Sequence, residues 1–177
     1  MSESDETNHS DHSTRIDFGW RVHQAIQDWT RAVDQKASIT LTLAIVLATL
    51  AAHEVLGPDG GLYDTAGTKL WVVRMMGAAF TASVILAMSV VVPSLGWRRS
   101  KGRPAVGLIY FGDLRLRNSK EIAADLEQLS DSGALVQLAT QLQITSRIAW
   151  NKHQRLRLSL LSLAVGAASL ACARLLL

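Results

Sequence analysis

Three apolar stretches, residues 37–56, 71–93 and 158–177, decide what this chain can become. Each is about 20 residues or slightly longer, enough for one helix to cross a hydrocarbon core of roughly 30 Å. The first carries no charge before Glu54, the second only Arg74 near its start, and the third only Arg174 near its end. Charged side chains at helix ends snorkel to the interface, so these three do not argue against spanning. The chain is expected to be an integral membrane protein.

The averages hide this: 49% hydrophobic residues and a mean hydropathy of +0.18 mix apolar spans with very polar segments. With about a third of a 177-residue chain committed to lipid, what remains outside is too short for an ordinary globular enzyme domain. The polar, acidic residues 1–14 carry no signal-peptide pattern and read as a disordered tail. The spacing of His9 and His12 within that tail is weak evidence for a metal site, and a solvated tail is the preferred reading. The single cysteine, Cys172, falls in the last apolar stretch; it excludes an intrachain disulfide and reads as a packing or lipid-facing residue.

Basic residues are distributed unevenly. Arg15, Arg21, Arg31 and Lys36 precede the first span, and eleven lie between the second and third, from Arg98 to Arg157. The short connection 57–70 holds only Lys69, beside Asp59 and Asp64. The positive-inside rule then puts the N-terminus and the middle segment in the cytoplasm, and the connection and C-terminus outside. Most of these charges need do no more than set orientation and touch anionic lipid.

Residues 15–36 read as a cytoplasmic helix, with Trp20, His23, Ile26 and Trp29/Thr30 at three- to four-residue spacing and nothing to break it before the first span. Gly57-Pro58-Asp59-Gly60-Gly61 ends that span, and Pro93 closes the second. The cytoplasmic region 94–157 starts with a basic linker. Residues 106–111 form a short β-branched and aromatic run that reads as extended, although no partner strand is evident, and Gly112-Asp113 turns the chain. Asn118 and Glu121 match a capping box for a short helix, and Ser130-Asp131-Ser132-Gly133 reads as a break. From Ala134 one helix is expected to run into the third span. Its Leu135, Leu138, Leu142, Thr145, Ala149, Lys152 and Leu156 fall at alternating three- and four-residue steps, a seam that packs on the first helix, on another subunit, or on both. Small residues also recur within the spans: Ala44, Ala48 and Ala52; Ala79, Ser83 and Ala87; Ser162 and Gly166. They suit close helix approach in lipid.

No catalytic signature is present: no Gly-x-Ser-x-Gly, no phosphate-cradling loop, no His-Glu-x-x-His and no paired cysteines. No catalytic residue, metal site or cofactor is expected. His53 and Glu54 mark the outer interface in preference to a proton path. Asp34, Lys36 and Lys152 fall at similar depth beside the membrane, where an unpaired charge is costly. An Asp34–Lys152 pair tying two helices together and an ordinary interfacial charge belt are equally compatible with the spacing. Tyr110, Phe111 and Asp113, followed by Arg115 and Arg117, are the best small-ligand candidates. They offer a stacking face, a glycine turn leading to a helix start, and cations for an anion. On these residues alone, the preferred reading is that Tyr110 and Phe111 plug the helical bundle.

Several of these pieces resemble the transmembrane effector family of the Pycsar antiphage systems. They are Asp34-Gln35-Lys36-Ala37 opening the first span, Pro93 closing the second, Ile109-Tyr110-Phe111-Gly112-Asp113, and then Gln141, Ile144, Ile148 and Lys152 leading into the third. The similarity runs from about Trp29 to the C-terminus. It implies a bacterial inner-membrane effector, not an enzyme. A partner cyclase makes a cyclic pyrimidine mononucleotide, cUMP or cCMP, and the effector answers by impairing the membrane before phage mature. The resemblance also favours a ligand role for Tyr110, Phe111, Asp113, Arg115 and Arg117, and a latch role for Asp34, Lys36 and Lys152.

The expected fold is an all-α membrane protein: three transmembrane helices with a cytoplasmic helical stalk formed by extensions of the first and third spans. The expected partners are the nucleotide, the bilayer and further copies of the chain, with no nucleic acid polymer. Two other functions fit the residues: a constitutive membrane scaffold that oligomerises whatever the nucleotide, and a small ion or proton conductor using His53, Glu54 and Arg74.

Overall fold

The computed structural model describes residues 3–56, 67–92 and 107–176. The described residues form five helices: α1 (Glu3–Leu56), α2 (Thr68–Val91), α3 (Phe111–Leu114), α4 (Ser119–Glu127) and α5 (Asp131–Leu176). No strand occurs among them. The glycine-rich break after α1, the proline at 93 and the basic linker up to residue 106 lie outside the described residues, as do the side chains of His9 and His12.

Sequence chemistry explains most of the boundaries. α1 contains no proline and only one glycine, Gly19. It starts at Glu3, inside the segment expected to be a disordered tail. Once a helix is nucleated each further residue adds a hydrogen bond at little cost. α2 opens after Gly67, whose φ of 79° is a conformation that favours glycine. It ends where Val92 turns extended (φ −66°, ψ 124°), the conformation a following proline imposes. Asn118 Oδ1 accepts from the Lys120 N–H at 3.3 Å, and Glu121 Oε2 accepts from the Asn118 N–H at 3.4 Å, completing the expected capping box of α4. The supposed break at 130–133 is instead a helix start. Ser130 Oγ accepts from the Gly133 N–H at 3.2 Å, and α5 then runs 46 residues without interruption.

The segment read as extended is also different. Residues 107–110 are irregular, and the Tyr110 carbonyl accepts from the Asp113 and Leu114 N–H groups at 2.9 and 3.1 Å, closing the single turn of α3. A strand needs a neighbouring backbone for its N–H groups; here the Leu108 N–H finds a side chain instead, Gln137 Oε1, at 2.7 Å.

The chain divides into two compact units, Met1–Trp29 with Ser94–Ala149, and Thr30–Pro93 with Trp150–Leu177. In the first, α1 and α5 meet along the expected seam: Ile26 and Leu138 are buried, and Gly19 lies so close to Leu138 that a Cβ there would fall 2.5 Å from Leu138 Cδ2.

Three helices are long and apolar enough to cross a membrane, and the second unit holds α2 with the C-terminal parts of α1 and α5. They pack in two apolar clusters. Val33 and Ala37 of α1 meet Val90 of α2 and Leu156 of α5. Further along, Ala44 and Ala51 meet Met76, Phe80 and Leu163. This register makes α1 and α5 parallel in the unit and α2 antiparallel to both. The buried positions step by three, four or seven residues: 33, 37, 40, 44 and 51 on α1; 76, 80, 83, 87 and 90 on α2; 156, 159, 163, 166 and 173 on α5. Among the small residues singled out above, Ala44, Ser83, Ala87 and Gly166 lie on these seams, whereas Ala52 is exposed. The seam thus follows a heptad rather than a strict four-residue ridge.

Large aliphatic side chains point outward: Ile39 is 63% exposed, Ile85 62% and Leu161 55%. Small or polar inside and large apolar outside suits a bundle whose surroundings are lipid.

Candidate functional site

A cleft of about 850 Å³ opens in the first unit, within the range of small-molecule sites. One wall is α5. Its Gly133, Val136, Gln137, Thr140, Gln141 and Ile144 recur at helical spacing and share a face. Opposite stand Gly107, Ile109, Tyr110 and Asp113. Ser130 and Ser132, at the start of α5, close one end, their hydroxyls 3.1 Å apart.

The polar groups have distinct roles. The start of a long helix carries partial positive charge, here with Ser130 Oγ taking the Gly133 N–H and Asp131 placing a carboxylate in the first turn. The Gln137 amide is fixed, because its oxygen accepts from the Leu108 N–H. Gln141, four residues further on, is only 9% exposed, and among the described residues its side chain makes no hydrogen bond. The amide lines the cleft and is open to a polar ligand there. Thr140 donates its hydroxyl to the Val136 carbonyl at 2.8 Å, leaving its lone pairs as acceptors.

Of the five ligand candidates, Tyr110 and Asp113 line the cleft. Arg115 is exposed and outside the lining. Arg117 is also outside it; its Nη2 pairs with the Asp125 carboxylate, and its buried Nη1 makes no hydrogen bond. The Phe111 side chain lies outside the described residues. Ser130, Ser132, Gln137 and Thr140 also line the cleft, although none of them stands out in the sequence as a site residue. One signal was available: Gln137, Thr140 and Gln141 form a polar stripe beside the Leu135, Leu138 and Leu142 seam.

A second set of polar contacts lies in the unit with the membrane helices. Lys152 Nζ donates to Asp34 Oδ1 and Oδ2 at 2.6 and 2.8 Å, while Lys36 is exposed. Arg155 Nη1 donates to the Ser89 carbonyl at 3.1 Å, near the end of α2, where a cation meets the negative end of the helix dipole. Deeper in, Ser83 and Ser159 are fully buried and exchange hydrogen bonds. Ser83 Oγ donates to the Ser159 carbonyl at 3.0 Å and Ser159 Oγ to the Ser83 carbonyl at 2.9 Å. At the far end Arg174 pairs with Glu54. Asp34 and Glu54 are about 20 positions apart on α1, roughly 30 Å of helix, so the two ion pairs bracket one bilayer thickness. Arg74 stands 5.9 Å over the ring of Trp71 near the start of α2, an arrangement suited to an interface.

Among the described residues no group of three or more His, Cys, Asp or Glu side chains gathers as a metal site.

These features define a multi-pass, all-helical membrane protein, one compact unit of which carries a polar cleft. A family model, PycTM, described as the Pycsar effector protein domain, matches residues 18–177, and the chain belongs to that family. Membership places it among antiphage defence effectors, a non-enzymatic transmembrane family, and implies a cyclic nucleotide signal from a partner cyclase. Searches of curated proteins and of solved structures found no match.

Proposed function

We propose that this protein is an inner-membrane antiphage effector that binds cUMP or cCMP in the cleft and responds by impairing membrane integrity. The observation that carries the reading is the cleft itself, in a chain whose family implies a cyclic nucleotide signal. An aromatic ring, two glutamine amides and a long helix start line one space, and a pyrimidine nucleotide needs all three. The base stacks on Tyr110 and meets Gln137 and Gln141 at its edge. The cyclic phosphate sits at the first turn of α5. The free ribose hydroxyl donates to Asp113.

α5 supplies both the cleft wall and the third span, so a ligand on its first turns bears on the helix that packs in lipid. In the resting protein the Asp34–Lys152 pair and the Ser83–Ser159 exchange hold the spans closed. The nucleotide acts by binding a second, leaky packing more tightly. Moving a population from 1:99 to 99:1 takes about 5.5 kcal/mol of differential binding, a modest demand when several subunits share it. The cleft and the N-terminus face the cytoplasm, in keeping with the basic residues around α1 and α5.

Propidium entry into bacteria producing this protein, with and without an active pyrimidine cyclase, tests the reading. Entry only when the cyclase is active supports it. Entry that is equal in both, or absent from both with the protein correctly inserted, contradicts it.

A further inference from the structure

We infer that Gln137 makes the cleft selective for uracil over cytosine, so that cUMP is the preferred signal and cCMP the weaker one. The inference rests on the reading of the cleft as a cyclic pyrimidine nucleotide site.

Uracil and cytosine share the carbonyl at C2 and differ only at C4 and N3. Uracil presents a carbonyl oxygen and an N–H there; cytosine presents an amino group and a bare ring nitrogen. A site distinguishes them only if one of its groups cannot change from donor to acceptor. Most glutamine side chains can, because the amide flips to suit its partner.

Gln137 is different. Its Oε1 accepts from the Leu108 N–H at 2.7 Å, within the irregular segment 107–110, which has no strand partner among the described residues. Flipping the amide would set its NH2 group against that N–H, donor against donor, and leave the backbone group without an acceptor. The amide is therefore held with its oxygen toward the backbone; that oxygen keeps one lone pair beside an N–H it already serves, whereas both Nε2 hydrogens stay uncommitted in a side chain that lines the cleft. A donor at that position matches the uracil C4 carbonyl and opposes the cytosine amino group.

Gln141 completes the arrangement. It lines the same face one turn on, is nine-tenths buried, and among the described residues has no hydrogen bond to fix its amide. It can accept from the uracil N3–H or donate to the cytosine N3, so it binds either base and discriminates neither. Specificity falls to the locked amide, and affinity is shared by both.

Gln137→Glu separates the two roles. A carboxylate still accepts from the Leu108 N–H but has no hydrogen to give a carbonyl, and its second oxygen accepts from an amino group. Calorimetric titration of the full-length, detergent-solubilised protein with cUMP and with cCMP reads the effect. The wild type is expected to prefer cUMP by about 10-fold or more, since a site built around one hydrogen-bond pattern rejects the analogue that reverses it. Gln137→Glu is expected to reverse the order, and Gln141→Ala to weaken both ligands by similar factors. Equal affinities in the wild type, or a preference for cCMP, would overturn the inference while leaving the nucleotide site standing. A cUMP preference that Gln137→Glu leaves intact would overturn it too. A wild type that binds neither nucleotide would overturn the site itself, and this inference with it. The wild-type ratio decides the matter even if the variant does not fold.

Discussion

Lys152 holds both carboxylate oxygens of Asp34 with one ammonium group, at 2.6 and 2.8 Å, joining α5 to α1 across 118 positions of sequence. The lysine side chain is 17% exposed and the aspartate 38%, so the pair is partly desolvated and each charge depends on the other. Taking one away leaves a costly charge behind, which makes such a contact more influential when broken than when formed.

Lys152→Ala should accordingly destabilise the resting packing by about 1 kcal/mol, since the Asp34 carboxylate left behind is 38% exposed and partly solvated. The expected phenotype is leakage without nucleotide. The exchange Asp34→Lys with Lys152→Asp should recover part of the loss, whereas either substitution alone should not. Dye release from vesicles carrying each variant, without ligand, is the measurement.

The serine exchange gives a second, subtler outcome. Ser83→Ala and Ser159→Ala each remove a donor between α2 and α5. Hydrogen bonds between membrane helices average about 0.6 kcal/mol. The two single losses should be small, and the double variant should lose less than their sum. Unfolding in mixed micelles, run as a double-mutant cycle, measures the coupling.

Close packing predicts a larger effect at Gly166. A Cβ there would lie 2.8 Å from two carbons of the Phe80 ring, which is rigid and itself buried. Gly166→Leu should cost about 1–3 kcal/mol or force the helices apart. Phe80→Ala in the same chain should relieve the clash, and the thermal midpoints of the single and double variants report it.

Glu54 distinguishes this account from an ion conductor. Its carboxylate pairs with Arg174, a structural contact at one end of the bundle. Glu54→Gln should lower stability by roughly 1 kcal/mol or less, the ordinary worth of an exposed pair, and leave nucleotide-dependent leakage in place. A conductor would lose its flux.

Much of the fold was legible because the signals were local and repeated. Three apolar runs, the capping box at Asn118 and Glu121, and the three-and-four spacing from Leu135 to Leu156 each act within one helix. The Asp34–Lys152 contact was foreseeable for a related reason: a membrane surface fixes depth, so charges at the same depth on adjacent helices can meet. What escaped notice depended on tertiary neighbours. Ser130 to Gly133 carries the composition of a break, and only its hydrogen bonds show it to be the start of α5. Residues 107–110 have strand-forming side chains, yet the Leu108 N–H is satisfied by Gln137, 29 positions away. The same contact, made between residues 29 positions apart, is why Gln137 does not stand out in the sequence. Charge is visible in a sequence; the fixed direction of an amide is not.

The most direct test is carboxyfluorescein release from sealed vesicles reconstituted with the purified protein, to which cUMP or cCMP is added at equal concentration. The account predicts dye release that depends on nucleotide, is greater with cUMP, and is lost in Tyr110→Ala. Vesicles that stay sealed with both nucleotides, with the protein folded and inserted, would contradict it.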